Sequence, residues 1–242
     1  MKFGFQLTFG ILGISLLGGG IFYGINQYEK KNDCTFSLLS LSCEYVYHLF
    51  DDNEHMQLKK PLILLYPEKN MDVRVHLSYA PGFFATFPEY SVKQNGWEVT
   101  AYPDGNLMDK ASGQETYGLF WEGNPGSDHF DMSHGSVIKG SEIRDFLYRK
   151  LTEIGLNTKE KSDFIMFWYP KLQNYPYVHV TFAGNEYTET AKLEISPKPD
   201  SLLRVFMVAK PLSEYKKIPE QTFEPFQRKG FSAVEWGGTI VQ

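Results

Sequence analysis

From Phe3 to Ile25 the chain carries no charged side chain: FGFQLTFGILGISLLGGGIFYGI. A helix needs about 20 apolar residues to span the hydrocarbon core of a bilayer, and this run is long enough. It predicts a transmembrane anchor over residues 1–28. The rival is a cleaved signal peptide, whose apolar region is shorter, about 7–15 residues, and ends at a small-x-small site. Gly18 and Gly20 imitate such a site, but the run continues through Ile21, Phe22 and Tyr23, which favours retention. Gly20 and Gly24 form a G-x-x-x-G pair. Such a pair lets two membrane helices touch as a weak homodimer, although glycine is also simply tolerated there.

Flanking charge does not orient the anchor. Lys2 precedes it, and Lys30 and Lys31 follow beside Glu29 and Asp33, so the positive-inside count is balanced. The only two cysteines, Cys34 and Cys43, lie just beyond the span. An isolated close pair reads as a short-loop disulfide in an oxidising compartment. Unpaired thiols facing the cytosol are the alternative. The expectation is a single-pass cell-membrane protein with an extracytoplasmic domain. Residues 29–60 form a connector holding the disulfide, and residues 61–242 form the globular part.

Net charge narrows the partners. A formal charge of −5 opposes nucleic-acid binding, which wants a basic face. The expected partners are the membrane, through the N-terminal helix, and an envelope glycan or protein. No cofactor is expected. The 19 Phe and 15 Tyr supply large rings for a sizeable core.

Beyond the connector, strand patterns dominate. Leu62 to Tyr66 is a continuous apolar run stopped by Pro67, as in a buried strand. Val73, Val75, Leu77 and Tyr79 alternate with polar residues at period two. Phe83 to Phe87 is a further short strand. Trp97 to Tyr102, bounded by Asn95-Gly96 and by Pro103-Asp104-Gly105-Asn106, reads as a hairpin returning through Leu107 and Met108. Tyr117 to Trp121 is again strand-like. A helical pair follows. Ser141 is the expected N-cap of the first helix, whose apolar face is Ile143, Phe146, Leu147, Leu151 and Ile154, with Gly155 ending it. Asn157 and Glu160 resemble a capping box for the second, which Pro170 stops or kinks. Strands return at Tyr177 to Phe182, Leu193 to Ile195, Leu202 to Val208 as a central strand, and Phe231 to Trp236 before Gly237-Gly238. The predicted fold class is α+β: a mainly antiparallel sheet with a central helical pair.

Candidate chemistry is sparse. His129, Asp131 and His134 place two imidazoles and a carboxylate in one loop, a weak metal set whose spacing fits no metal motif; a polar surface loop is the commoner reading. Glu122 follows Trp121 and Glu235 precedes Trp236. Carboxylates beside indoles suit a catalytic pair in glycan cleavage, if the two meet in space. His76 and His179 alternate with apolar neighbours and read as outward-facing strand residues. Trp97, Tyr102, Tyr117 and Trp121 fall on neighbouring strands and form a binding face if they point outward, or core if inward.

The pieces KPLILLYPEK, NGWEVTAYPDGNL, YGLFWEG, SPKPDSLLRVFMVAKPL and FQRKGFSAVEWGG resemble a family of uncharacterised bacterial domain proteins that look secreted or membrane-anchored. The resemblance runs from Lys60 to Thr239 and implies one coherent domain in an exported setting. It implies no activity and transfers no site residue. The functional expectation is therefore a membrane-anchored binding or envelope-associated module, with glycan hydrolysis through Glu122 and Glu235 as the alternative. Labelling of intact cells with an impermeant maleimide checks the setting: Cys34 and Cys43 should react only after reductant is added.

Overall fold

The structure, a computed structural model, describes residues 59–124 and 129–242. The expected anchor, Gly20 and Gly24, the Cys34–Cys43 connector, and Ser127 and Asp128 lie outside the described residues. No helix among those described is long and apolar enough to cross a membrane.

Twelve strands and three helices make up this part. In chain order the strands are β1 (Lys59–Tyr66), β2 (Met71–Tyr79), β3 (Phe83–Phe87), β4 (Trp97–Ala101), β5 (Leu107–Asp109), β6 (Glu115–Thr116), β7 (Leu119–Gly123) and β8 (Ser136–Lys139). Helices α1 (Ile143–Ile154) and α2 (Thr158–Leu172) come next, then β9 (Tyr177–Ala183), α3 (Asn185–Thr190), β10 (Ala191–Ser196), β11 (Ser201–Leu212) and β12 (Ser232–Ile240). They form a seven-stranded sheet, ordered β3-β7-β1-β12-β11-β9-β8, and a five-stranded sheet, ordered β10-β2-β4-β5-β6. The fold is α+β and mostly antiparallel, but it has two sheets where the sequence pattern suggests one.

Period-two alternation in the larger sheet builds three layers. Ile63 and Leu65 on β1, Phe206 and Val208 on β11, and Ala233 on β12 pack with Val73, Val75, Leu77, Trp97 and Val99 of the smaller sheet. Their neighbours Leu62, Leu64, Val205, Met207, Val234 and Trp236 point the other way and pack with Phe146, Leu151, Phe164 and Trp168 of α1 and α2. The larger sheet is thus buried on both faces, which is why β1 and β11 read as continuous apolar runs. The smaller sheet shows clean alternation on β2, because Asp72, Arg74 and Ser78 face water.

The helical pair forms as its periodicity demands. Asn157 Oδ1 accepts from Glu160 N at 3.0 Å, and Glu160 Oε2 accepts from Asn157 N at 2.7 Å, completing the capping box. Gly155 ends α1 in the left-handed conformation at φ 108°. Two boundaries differ from expectation. Ser141 is not a side-chain N-cap; it lies inside a 3-10 turn, Gly140–Glu142, that leads into α1. A Cβ on Gly140 would sit 2.3 Å from the carbonyl oxygen of Tyr175, so that turn is seated against the end of α2. Pro170 does not stop α2, which continues to Leu172. It lies in the last turn, where the carbonyl it cannot pair belongs to Met166, itself 66% exposed.

The sheet's centre carries a parallel ladder, β11 with β12. Residues 213–231 connect these strands as a long strap without helix or strand. The strap is held along its length. Gln221 acts as a backbone mimic, accepting from Phe182 N at 2.9 Å and donating to Phe182 O at 2.7 Å. Phe223 packs edge-on against Phe182 at 5.5 Å. Phe226 N donates to Ile154 O at 3.0 Å. Arg228 Nη2 donates to the buried Glu160 at 2.6 Å.

Strand β12 runs through Gly237 and Gly238 instead of ending before them. The absence of side chains is what permits this. A Cβ on Gly238 would lie 2.6 Å from Met207 O and 2.8 Å from the Trp168 indole, so α2 packs its largest ring directly on the strand backbone. Gly238→Ala should cost about 1–3 kcal/mol by overpacking, and Trp168 fluorescence should shift as the ring is displaced. Denaturant midpoints for that variant and for wild type check it.

Candidate functional site

Two central strands each carry one charge among apolar residues: Arg204 in LLRVFMVA and Glu235 in AVEWGG. Parallel register places them side by side. Both point between the sheets, where Arg204 Nε donates to Glu235 Oε2 at 2.5 Å. Trp121 Nε1 donates to Glu235 Oε1 at 3.1 Å. The Arg204 guanidinium lies 4.8 Å from the centroid of the Tyr187 ring, which stacks on Phe206 at 4.0 Å and 15°. Burial opposes charge on Arg204, but Glu235 and the Tyr187 oxygen outweigh it and raise its pKa. Burial, reinforced by Glu235, holds the Tyr187 hydroxyl well above its ordinary pKa. That hydroxyl and Arg204 Nη2 are buried without a hydrogen bond of ordinary geometry.

This arrangement corrects the catalytic-pair expectation. Glu235 is opposite Ile63, and Ile63 is opposite Leu119, so all three share the inter-sheet face. Glu122 is three residues beyond Leu119 on β7 and projects from the other face, toward the helical side. A residue shift of odd number reverses the face in a strand. The two glutamates therefore do not meet across one site, and Glu235 is held by Arg204 and Trp121.

The aromatic-face expectation also divides. Trp97 and Trp121 are core, 1% and 0% exposed. Trp97 Nε1 donates to Pro88 O at 2.8 Å, and its ring meets Tyr90 edge-on at 4.7 Å. Trp121 contacts Phe83 and Tyr79. Tyr102 is half-buried. Tyr117 is 40% exposed and carries Lys159 Nζ 3.9 Å above its ring. The exposed large apolar residues that sequence reasoning missed include Phe84 and Phe87 on edge strand β3, with Val92 beyond it.

The His129-to-His134 loop is a polar surface turn. Asp131 Oδ1 accepts from Ser133 N at 2.8 Å, and His134 Nδ1 is 3.7 Å from Asp131 Oδ2. Hydrogen bonds from Ser133, then the neighbouring His134, hold the Asp131 carboxyl below its usual range. Among the described residues no group of three His, Cys, Asp or Glu is placed to hold a metal. Phe130 stacks on Phe206 and ties the loop to the core. His76 reaches the surface as expected, its Nδ1 2.9 Å from Asn95 O. His179 does not: it is buried, with Nε2 3.0 Å from His134 O. Loop 129–135 covers the face that alternation alone leaves open.

Two clefts flank the strap. One, of about 410 Å³, is lined by Asp131, His134, Glu186, Glu220 and Gln221 among others. The other, of about 430 Å³, lies where β8, β9 and the start of α1 meet Tyr215 of the strap. It is lined by Lys139, Glu142, Asp145, Arg149, Tyr177 and Tyr215, together with apolar residues of β8 and α1. Tyr215 is 60% exposed and stands edge-on to Tyr177 at 6.0 Å. No family model, curated protein or solved structure matches the chain.

Two stability predictions come from the buried pair. Removing one partner of a buried ion pair typically costs about 3–5 kcal/mol, whereas replacing both with apolar groups is often neutral. Arg204→Met should lose that amount, and Arg204→Met with Glu235→Leu should regain most of it, in denaturant titrations. The second concerns alkali. An unfolded tyrosine ionises near pH 10, but burial keeps Tyr187 and Tyr66 protonated above that in the fold. Above about pH 10 the folded state then binds more protons than the unfolded state, so stability falls as pH rises. Tyr187→Phe should flatten that alkaline decline, measured as the urea midpoint from pH 8 to 11.

Proposed function

We propose that the chain is a membrane-anchored extracytoplasmic binding module that engages the cell envelope. The observation that carries this reading is the open cleft beside the strap. There Tyr215 is largely exposed, and Arg149 is exposed beside it. Ligand sites pair apolar or aromatic walls with a few convergent polar groups, in volumes of about 300–1,000 Å³. The cleft meets that description at about 430 Å³. The enclosure of Glu235 by Arg204 and Trp121 supports binding over hydrolysis through Glu122 and Glu235. The extracytoplasmic setting is supported by the uncharged run 3–25 and by Cys34 and Cys43.

Full-length protein in detergent, mixed with washed envelope fractions from cells of the host that encodes it and sedimented, tests the reading. The expected outcome is saturable retention in the envelope pellet. A chain that stays in the supernatant with every fraction removes the proposal.

A further inference from the structure

We propose that the cleft formed by β8, β9, the first turns of α1 and Tyr215 is a saccharide site that takes a neutral pyranose ring. This rests on the binding-module reading and names its ligand class. A pyranose has an apolar C–H face and a rim of hydroxyls. The cleft offers a counterpart to each. The exposed Tyr215 ring provides a flat face and stands edge-on to Tyr177 at 6.0 Å. Such rings add contact area at low entropic cost.

The charged rim has no net charge to favour an ion of either sign. Lys139 and Arg149 oppose Glu142 and Asp145, so the formal charges of this lining sum to zero. An ion of either sign would meet two groups that attract it and two that repel it. A neutral polyol can donate to Glu142 and Asp145 and accept from Lys139 and Arg149. These groups are exposed and only partly paired, Asp145 with Arg144 and, electrostatically, with Arg149. Lys139 and Glu142 are loosely paired at 3.9 Å. Asp145 accepts from its neighbour Arg144 at 2.9 Å through one oxygen, Oδ1. Arg149 is solvent-exposed. Its guanidinium presents several N–H donors that ring hydroxyls can accept.

Placement in the fold makes the cleft a built feature. Lys139 and Tyr177 are register partners at the end of the β8–β9 ladder, and Asp145 and Arg149 are one helical turn apart on α1. Tyr215 arrives from the strap. The neighbouring cleft of about 410 Å³ has three acidic side chains in its lining; its one phenyl ring, Phe182, is buried and packs against Phe223 of the strap, and no Tyr or Trp lines it.

Full-length protein in detergent is applied to an array of defined neutral oligosaccharides (glucan, mannan, galactan and N-acetylglucosamine series) alongside uronic-acid oligomers. Retention on at least one neutral series is expected. Tyr215→Ala and Arg149→Ala should each weaken it at least tenfold, with Arg149→Lys failing to restore it and thermal melts matching wild type. Phe84→Ala, on the distant β3 edge, should leave it unchanged. Equal retention by the Tyr215 and Arg149 variants, no retention on any series, or preference for the uronic acids would each overturn the proposal. If the envelope pellet still retains the protein but protease treatment of the envelope abolishes this, the saccharide site fails while the binding module stands. Loss of pelleting altogether removes both.

Discussion

Parallel pairing of β11 with β12 obliges the chain to leave one end of the sheet and return at the other. Antiparallel neighbours need only a tight turn, whereas a parallel pair needs a crossover of a dozen or more residues. In most proteins a helix fills that role. Here residues 213–231 do so in extended form, and long connections without regular structure are uncommon in compact folds. Their backbone must find partners elsewhere. Gln221 completes the edge of β9 where β8 is too short to reach Phe182, Phe226 bonds the end of α1, and Arg228 meets the capping-box glutamate. The strap thereby brings Tyr215 and Glu220 to the rims of the two clefts.

Within the same ladder, Arg204 and Glu235 sit beside one another between the sheets. Neither charge is tolerable alone at that depth. Together, with the Trp121 indole on one carboxylate oxygen and the Tyr187 ring beneath the guanidinium, they link β7, β12 and β11 within the larger sheet and join that sheet to α3. No hydrogen bond of ordinary geometry reaches the buried hydroxyl of Tyr187 or Arg204 Nη2 among the described residues. Such groups weaken a core, so this cluster sets geometry more than it adds stability.

Local patterns in the sequence anticipated most elements. The β2 alternation, the β4–β5 hairpin, the apolar stripe of α1 and the Asn157–Glu160 box each depend on neighbours within a few residues, and each formed. Failures cluster where distant packing decides. Gly237 and Gly238 look like a strand end until the Trp168 ring is seen to need their bare backbone. His179 looks exposed until the loop from His129 to Gly135 covers it. Trp97 and Trp121 alternate as well for a surface as for a core, and a second sheet stacked on the first determined which.

The candidate site was less legible for the same reason. Glu122 and Glu235 share a residue type and an indole neighbour, but only the chain of register partners through Ile63 and Leu119 reveals that they face opposite ways. Tyr177, Tyr215, Arg149 and Lys139 come from four separate stretches and carry no common motif. By itself the sequence determined the uncharged N-terminal run, the cysteine pair, the α+β class and most element positions, because length, charge and periodicity are local properties. Tertiary structure decided which aromatic rings are core, which charges are paired and where a cleft opens, because strand register, sheet stacking and the course of a crossover join residues far apart in the chain.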